Sequence, residues 1–295
     1  MRLVTRGDLD GLTCALLLQE VEPIEEVALV HPKDVQDGKV DITSNDILAN
    51  LPYDPRAGMW FDHHSSESEA AGPSGFKGAY AIAPSAARVI ANHYDSPKFA
   101  RYEELLAETD RLDAAQLTIE DVQDPKGWIL LGYTIDPRTG LGGFRDYFQK
   151  LMRLCREQTI DEVLQEEEVA ERVRRVKTEQ QAFVQHLMEV SKLDGNVIVM
   201  DVRGMRGLPS GNRFLVYTLF PEANVSLRIA DGLAGKFYTV QVGHSIFNRT
   251  CKTNVGELMH KHGGGGHRGA GTCQPTVDVA DAVIADILET LKRNG

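Results

Sequence analysis

Three stretches of this chain hold side chains whose types and spacing suit chemistry on a metal. In VTRGDLDGL, Asp8 and Asp10 follow an apolar run. In MWFDHHSSES, Asp62, His63 and His64 stand side by side directly after Met59, Trp60 and Phe61. In TDRLDAA, Asp110 and Asp113 recur at the i, i+3 spacing of one helical face. Two carboxylates as close as Asp8 and Asp10 repel unless a cation or hydrogen bonds compensate. An isolated D-x-D is best read as a solvated loop, and the reading changes only if one edge of the fold also receives Asp62, His63, Asp110 and Asp113. Carboxylate oxygens with an imidazole nitrogen suit Mn²⁺, Mg²⁺ or Fe²⁺ better than a structural zinc, which prefers cysteine and histidine. Such ions lower the pKa of a bound water and clamp the attacking and leaving oxygens of a phosphoryl displacement.

A fourth stretch, HKHGGGGHRGAG from His260 to Gly271, suits an anion. Gly264, Gly265 and Gly266 let backbone amides approach a ligand and can form a concave nest of N–H groups. His267 adds a donor and Arg268 a fixed positive charge for phosphate. A flexible loop is the plain alternative, but His and Arg embedded in the run favour a phosphate cradle. A zinc site from Cys251, His260, His262, His267 and Cys273 fits no common spacing and ranks well behind.

The elements that must position these groups follow from apolar periodicity. RLVT, EVALVH, DILAN and GMWF read as strands, and DGLTCALLLQEV, SAARVIANHY and YEELLAETDRLDAA as helices. This alternation predicts an α/β fold whose first domain is a parallel sheet with helices on both faces. Ligands collect beyond the carboxyl ends of such strands, so the polar groups after RLVT, ILAN and MWF would meet on one edge. From Thr159 to Lys192 a charged helical pattern without Gly or Pro predicts a connecting helix, although a surface helix of one domain explains it nearly as well. NVIVMDVR, RFLVYTLF, NVSLRIA and KFYTVQVG then read as strands of a smaller mixed sheet, closed by the helix VADAVIADILETLKR. The expected organisation is a catalytic domain over residues 1–158, a linker helix over 159–192 and a smaller α/β domain over 193–295.

The totals exclude several classes. The formal charge of −11 disfavours a broad grip on duplex nucleic acid while permitting a local basic pocket for a small anion. No apolar run reaches the roughly 18 residues of a membrane helix, and MRLVTRGDLDG is unlike a signal peptide. A cytoplasmic location is expected. Cys14, Cys155, Cys251 and Cys273 lack a C-x-x-C spacing, so neither a disulfide framework nor a zinc ribbon is indicated.

Taken in order, D-x-D-G after the first strand, D-H-H after a later one, an acid in a later helix and GGGGHRGAG near the end resemble the DHH phosphoesterase superfamily with its DHH-associated C-terminal domain. The resemblance spans essentially the whole chain, in the exopolyphosphatase-like and nano-RNase-like branch. It implies Asp8, Asp10 and His63 as metal ligands, Asp62 as their support, and His64 near the substrate. For the late acid it favours Asp113, followed by small residues, over Asp110, and one of the two could ligate while the other supports. It also implies that Gly264 to Arg268 and Arg228 contact the substrate's anionic groups, with Arg213, Arg138 and Arg145 as weaker candidates. Two positions depart from the family pattern. Arg6 stands where a histidine is usual, and Asn50 ends the strand where an aspartate often bridges two metals. Arginine has no lone pair to give a metal. One firm Mn²⁺ or Mg²⁺ position is therefore expected, from Asp10, His63 and Asp113 or Asp110, with a second position short of two ligands unless Asp46 or Asp41 folds back to bridge.

These expectations describe a metal-dependent phosphoesterase acting on a small nucleotide or short oligonucleotide, with no membrane and no duplex nucleic acid as partner; a homodimer is compatible with all of them. An exopolyphosphatase is the first alternative, with RVRRVK as its only dense basic track. A phospholigand-binding protein that has lost turnover, through Arg6 and Asn50, is the second.

Overall fold

Short apolar runs become neighbouring strands where polar or glycine-rich segments interrupt them, and the longer runs with helical periodicity cover the sheet they form. The computed structural model describes residues 1–64, 75–136, 143–209, 211–232 and 235–294. Arg138, a weaker candidate above, lies outside the described residues. In chain order the first elements are β1 (Arg2–Thr5), α1 (Leu9–Val21), β2 (Glu26–Leu29), α2 (Pro32–Gln36), β3 (Asp46–Ala49), β4 (Met59–Asp62) and β5 (Gly78–Tyr80). Helices follow: α3 (Ala86–Tyr94), α4 (Glu103–Asp113), α5 (Ile119–Gln123), α6 (Gly127–Thr134), α7 (Phe144–Glu157), α8 (Ile160–Gln165) and α9 (Glu167–Val190). The last part holds β6 (Ser191–Asp194), β7 (Val197–Asp201), α10 (Leu215–Leu219), β8 (Val225–Asp231) and β9 (Tyr238–His244). It ends with α11 (Val255–Lys261), β10 (Gly265–His267), β11 (Ala270–Cys273) and α12 (Ala280–Arg293). The chain forms two compact units, Met1–Gln116 with Pro125–Arg175, and Leu117–Asp124 with Val176–Gly295.

In the first unit five strands run parallel in the order β2-β1-β3-β4-β5. Side chains alternate across it. Leu3, Ile47 and Phe61 enter the core built with α1, α3, α4, α6 and α7, whereas Val4, Leu48 and Trp60 enter a smaller one with Val35 of α2, Ile42 and Leu51. Trp60 stacks on Tyr80 at 5.6 Å and donates its indole N–H to the Leu51 carbonyl at 2.9 Å, which fixes the register of β4 before it reaches Asp62. After β2 the chain returns to the other side of β1, so the crevice of this doubly wound sheet opens beyond the carboxyl ends of β1 and β3.

The second unit contains a mixed sheet in the order β10-β11-β9-β8-β7-β6. Only β7 and β8 pair in parallel. Val225, Leu227, Val240 and Val242 pack with Val255 and Met259 of α11 and Ile287 and Leu291 of α12. The short helix α5 belongs here, in contact with α10.

Three local expectations are corrected. The region Thr159 to Lys192 is not one helix. Glu166, with ψ 133°, interrupts it between α8 and α9, and the chain enters β6 at Ser191. A capping box at Thr159 and Glu162 starts α8, a local signal inside an apparently uniform charged run. RFLVYTLF is not a strand but contains α10, because a short apolar run fits a buried helical turn as well as a strand. Asn212 begins that turn, accepting the Phe214 N–H on its side chain and the Leu215 N–H on its carbonyl, both at 3.0 Å. The glycine run forms no nest: Gly265, Gly266 and His267 are the strand β10, paired antiparallel with Ala270 to Thr272. A Cβ at Gly264 would lie 2.1 Å from the Thr272 carbonyl oxygen, so close strand approach is what the glycine permits.

Candidate metal centre

Beyond Thr5 the chain turns sharply into α1. Asp8 caps that helix, its Oδ1 accepting the Gly11 N–H at 2.9 Å. The turn requires glycine at 11, since a Cβ there would sit 1.9 Å from the Arg6 carbonyl oxygen. Asp8 Oδ1 also accepts from the Asn50 side-chain amide at 3.1 Å, and Oδ2 faces Arg6 Nε at 3.0 Å. Asn50 sits just past β3 with φ 58°, a left-handed conformation that asparagine tolerates.

Asp10 lies in the first turn of α1 and is 2% exposed. Its carboxylate accepts the N–H groups of Ala86 and Ala87, each at 2.9 Å. These are among the N–H groups that the first turn of α3 leaves without helical partners. Cys14, one turn along α1, places its sulfur 3.7 Å from Asp10 Oδ1.

At the end of β4, Asp62 is fully buried and binds His64 Nδ1 at 2.8 Å. His63 Nδ1 lies 3.0 Å from the Ala83 carbonyl. A carbonyl only accepts, so Nδ1 carries hydrogen and the lone pair of a neutral ring is on Nε2. That Nε2 is buried without a hydrogen-bond partner, yet stands 3.0 Å from Asp113 Oδ2 and 4.0 Å from Asp10 Oδ2.

The two late acids separate. Asp113, the last residue of α4, faces His63, whereas Asp110 accepts from Ser85 Oγ at 2.6 Å and from Arg88 Nε and Nη2 at 2.8 and 2.6 Å. Asp46 is at the opposite end of β3, held by Arg2 Nε and Nη2 at 2.8 Å each, and the Asp41 carbonyl accepts from the same guanidinium. Neither folds back to bridge at the carboxyl edge.

Burial raises the Asp10 pKa to about 7, and the nearby charges of Asp113 and Asp8 add to the rise. Asp8 is also raised, first by desolvation, with Arg6 and the Gly11 N–H opposing. For His63, burial pulls downward, but Asp113 and Asp10 together lift it to about 9. His64 is raised chiefly by its bond to Asp62. Arg6 is thus the countercharge of Asp8, and His63 is the only cation facing Asp10 and Asp113 among the described residues.

In the second unit, Arg228 on β8 reaches Gln241 on β9 at 3.1 Å, and burial lowers its pKa. His267 and Arg268 lie at the exposed tip of the β10–β11 hairpin, where His267 Nδ1 accepts the Gly269 N–H at 3.2 Å. His244 Nε2 contacts the Thr253 carbonyl at 3.0 Å; burial first, then the charges of Arg268 and His267, lower its pKa. The proposed zinc ligands do not assemble. His262 pairs with Asp286 at 2.9 Å, and among the described residues the only groups able to share an ion are Asp10–His63–Asp113 and Asp62–His63–His64.

No family model and no curated protein matches the chain. Solved structures do match. The pGpG-specific phosphodiesterase PggH from Vibrio cholerae is 39% identical, with a TM-score of 0.85 over 100% of this chain and 99% of that one. The chain belongs to the DHH phosphoesterase superfamily. A DHH domain from a member of the s1p family of ribosomal proteins shares the fold at 12% identity, with a TM-score of 0.59 over 99% of this chain and 87% of that one. RecJ from Thermus thermophilus, solved with Mg²⁺, does so at 15% identity and a TM-score of 0.53, over 99% of this chain and 50% of that one.

The DHH motif residues fit a divalent ion. Adjacent ligands of an octahedral ion, each about 2.1 Å from it, lie about 3.0 Å apart, the spacing of His63 Nε2 and Asp113 Oδ2. A bare imidazole lone pair facing two carboxylates is unfavourable, so Nε2 must carry either a proton, as its raised pKa indicates, or a cation. The ring is oriented from behind by Ala83, as metal-binding histidines generally are. Sequence reasoning missed the N-terminus of α3 as the holder of Asp10 and Arg88 as the partner of Asp110. The Pro84-Ser85 step before AARVIANHY was a readable helix start, but nothing in it named Asp10 as the acceptor.

Proposed function

We propose that this protein is a metal-dependent phosphodiesterase that hydrolyses a short linear dinucleotide of the pGpG class. The observation that carries the reading is the buried His63 Nε2, without a hydrogen bond, facing Asp10 and Asp113. The likeness to PggH, 39% identical over the whole chain, supports the substrate class. Asp10, His63 and Asp113 would hold one divalent ion, Mn²⁺ in preference, which would supply a Lewis acid for activating water and offsetting phosphate charge. Asp10 is kept in place by the α3 N-terminus and His63 by Ala83, so the ligands need little reorganisation. His64, steered by Asp62, carries a proton at Nε2 for the leaving oxygen. Arg228, with His267 and Arg268, supplies positive charge for the nucleotide's phosphates.

An exopolyphosphatase finds less support, because Arg172 of RVRRVK is 1% exposed and packs 3.8 Å over the Tyr147 ring instead of lining a basic track. No described helix is long and apolar enough to cross a membrane. A cytoplasmic protein accords with its four free, buried cysteines. The test is hydrolysis with Mn²⁺ of pGpG, other dinucleotides, cyclic dinucleotides and polyphosphate, with products resolved by chromatography. Mononucleotide release from pGpG is expected, reduced about a hundredfold or more in Asp113→Asn. Arg228→Ala is expected to raise KM more than it lowers kcat. Preference for polyphosphate, or full activity in Asp113→Asn, refutes the reading.

A further inference from the structure

The partners of Asp8 set it apart from the other acids of the centre. Its Oδ1 accepts from Gly11 at 2.9 Å and from Asn50 at 3.1 Å, while its Oδ2 faces Arg6 Nε at 3.0 Å. Both oxygens are therefore occupied by donors, and Asp8 is outside the two groups able to share an ion. Arg6 meets Asp8 through Nε, its side chain is 47% exposed, and its Nη atoms make none of the hydrogen bonds described among these residues. Asn50 turns its amide nitrogen to Asp8 and leaves a buried carbonyl oxygen without a partner.

The geometry points to Arg6 as a catalytic cation, held on Asp8 and presenting its Nη atoms to a non-bridging phosphate oxygen, in a centre that takes one divalent ion per chain. The inference deepens the phosphodiesterase reading and rests on it for the identity of the anion. Charge favours it. Arg6 offsets one of the carboxylates Asp8, Asp10 and Asp113, and one divalent ion offsets the other two. A second ion beside Asp8 would meet a fixed guanidinium at Coulombic cost, and the neutral Asn50 amide would give it no charge. Guanidinium also matches two phosphate oxygens at once. Asp8 is then a positioning residue, whose bonds to Gly11 and Asn50 aim Arg6.

The experiment measures metal stoichiometry first, by equilibrium dialysis and elemental analysis, with low-temperature electron paramagnetic resonance of Mn²⁺. The wild-type protein is expected to bind one Mn²⁺ tightly and to give an uncoupled six-line spectrum. The double variant R6H/N50D, which supplies an imidazole and a carboxylate beside Asp8, is expected to bind a second Mn²⁺ and show spin coupling. Arg6→Ala is expected to keep its single Mn²⁺ while losing about a hundredfold in kcat/KM, with part of the loss restored by added guanidinium ion. Two tight, spin-coupled Mn²⁺ ions in the wild type overturn the inference, as does loss of the single ion in Arg6→Ala. If no nucleotide is hydrolysed at all, the phosphodiesterase reading falls, while the wild-type stoichiometry still decides between one ion and two.

Discussion

Asp10 serves the fold and the ion at once, and two substitutions separate these duties. Its carboxylate accepts two buried N–H groups at 2.9 Å each, from Ala86 and Ala87. Asp10→Ala leaves both unpaired, at about 1–3 kcal/mol each, so a loss of about 2–6 kcal/mol is expected. Asp10→Asn keeps one acceptor oxygen and removes the negative charge that Asp113 and Asp8 oppose, so its loss should be about half as large. Both variants lose the ligand. With free Mn²⁺ near 100 times Kd, the wild type gains about 2.7 kcal/mol, or about 5–10 °C in the unfolding of a unit of this size. Acidity adds a second signature. The Asp10 pKa is raised to about 7, so the folded state holds this proton more tightly than the unfolded chain. That stabilisation is whole below about pH 4 and is lost as pH rises through about 7. His63, lifted to about 9, extends the loss from about pH 6.5 to 9. The metal-free protein should therefore weaken as pH rises, and the ion, which replaces these protons, should stabilise it increasingly over the same window. Thermal unfolding with and without Mn²⁺ between pH 5 and 9 reads all of this. A metal increment in Tm that does not vary with pH, or a full increment in Asp10→Asn, refutes the reasoning.

Gly11→Ala places a methyl group 1.9 Å from the Arg6 carbonyl oxygen, so the turn carrying Asp8 and Asp10 must open. A loss of about 2 kcal/mol or more is expected, together with weaker Mn²⁺ binding by calorimetry. Asp46→Asn tests the opposite edge of the sheet. Burial raises the Asp46 pKa, but the bonds from Arg2 and Thr43 outweigh it and hold it below the ordinary value. That stabilisation is present above about pH 4 and is lost as pH falls below it. The variant should lose about 1–3 kcal/mol at pH 7, unfold less steeply in acid, and keep the wild-type kcat. A large fall in its kcat would show that the edge bearing Asp46 takes part in the chemistry.

What could be read before folding was whatever local spacing encodes. The strands RLVT, DILA and MWF, and their polar endings, were legible because alternation and strand termination are local, and the rule that ligands gather beyond parallel strand ends did the rest. The residues alone did not separate Asp110 from Asp113, which only the family resemblance favoured, because the difference turns on Arg88, which approaches Asp110 from α3 at 2.6 Å. The roles of Asp8 and Asp10 were equally hidden, since a D-x-D pair looks the same whether a helix N-terminus or a guanidinium holds it. RFLVYTLF misled because apolar residues in an unbroken run carry no period. The glycine run was read as a nest for an anion, because nothing local to it announces the pairing with Ala270 to Thr272 that makes it a strand.

The fold resolves a problem common to sites with many acids, which is how to leave charge unbalanced at one point only. Asp46 is neutralised by Arg2, Asp8 by Arg6, and Asp110 by Arg88, while Asp62 is bound to His64. Asp10 and Asp113 differ, for each looks toward His63, a group that cannot both serve as a base and remain their countercharge. Because the ring's Nδ1 is committed to Ala83, a proton at Nε2 balances one of the two carboxylates, and at low pH a proton on Asp10 removes the charge of the other. At high pH, where both protons leave, a divalent ion would balance the pair. Pairing Asp8, Asp46, Asp62 and Asp110 with their own partners therefore leaves Asp10 and Asp113 as the acids with charge to offer an ion, and a site made of the same acids without those partners would offer it at several points.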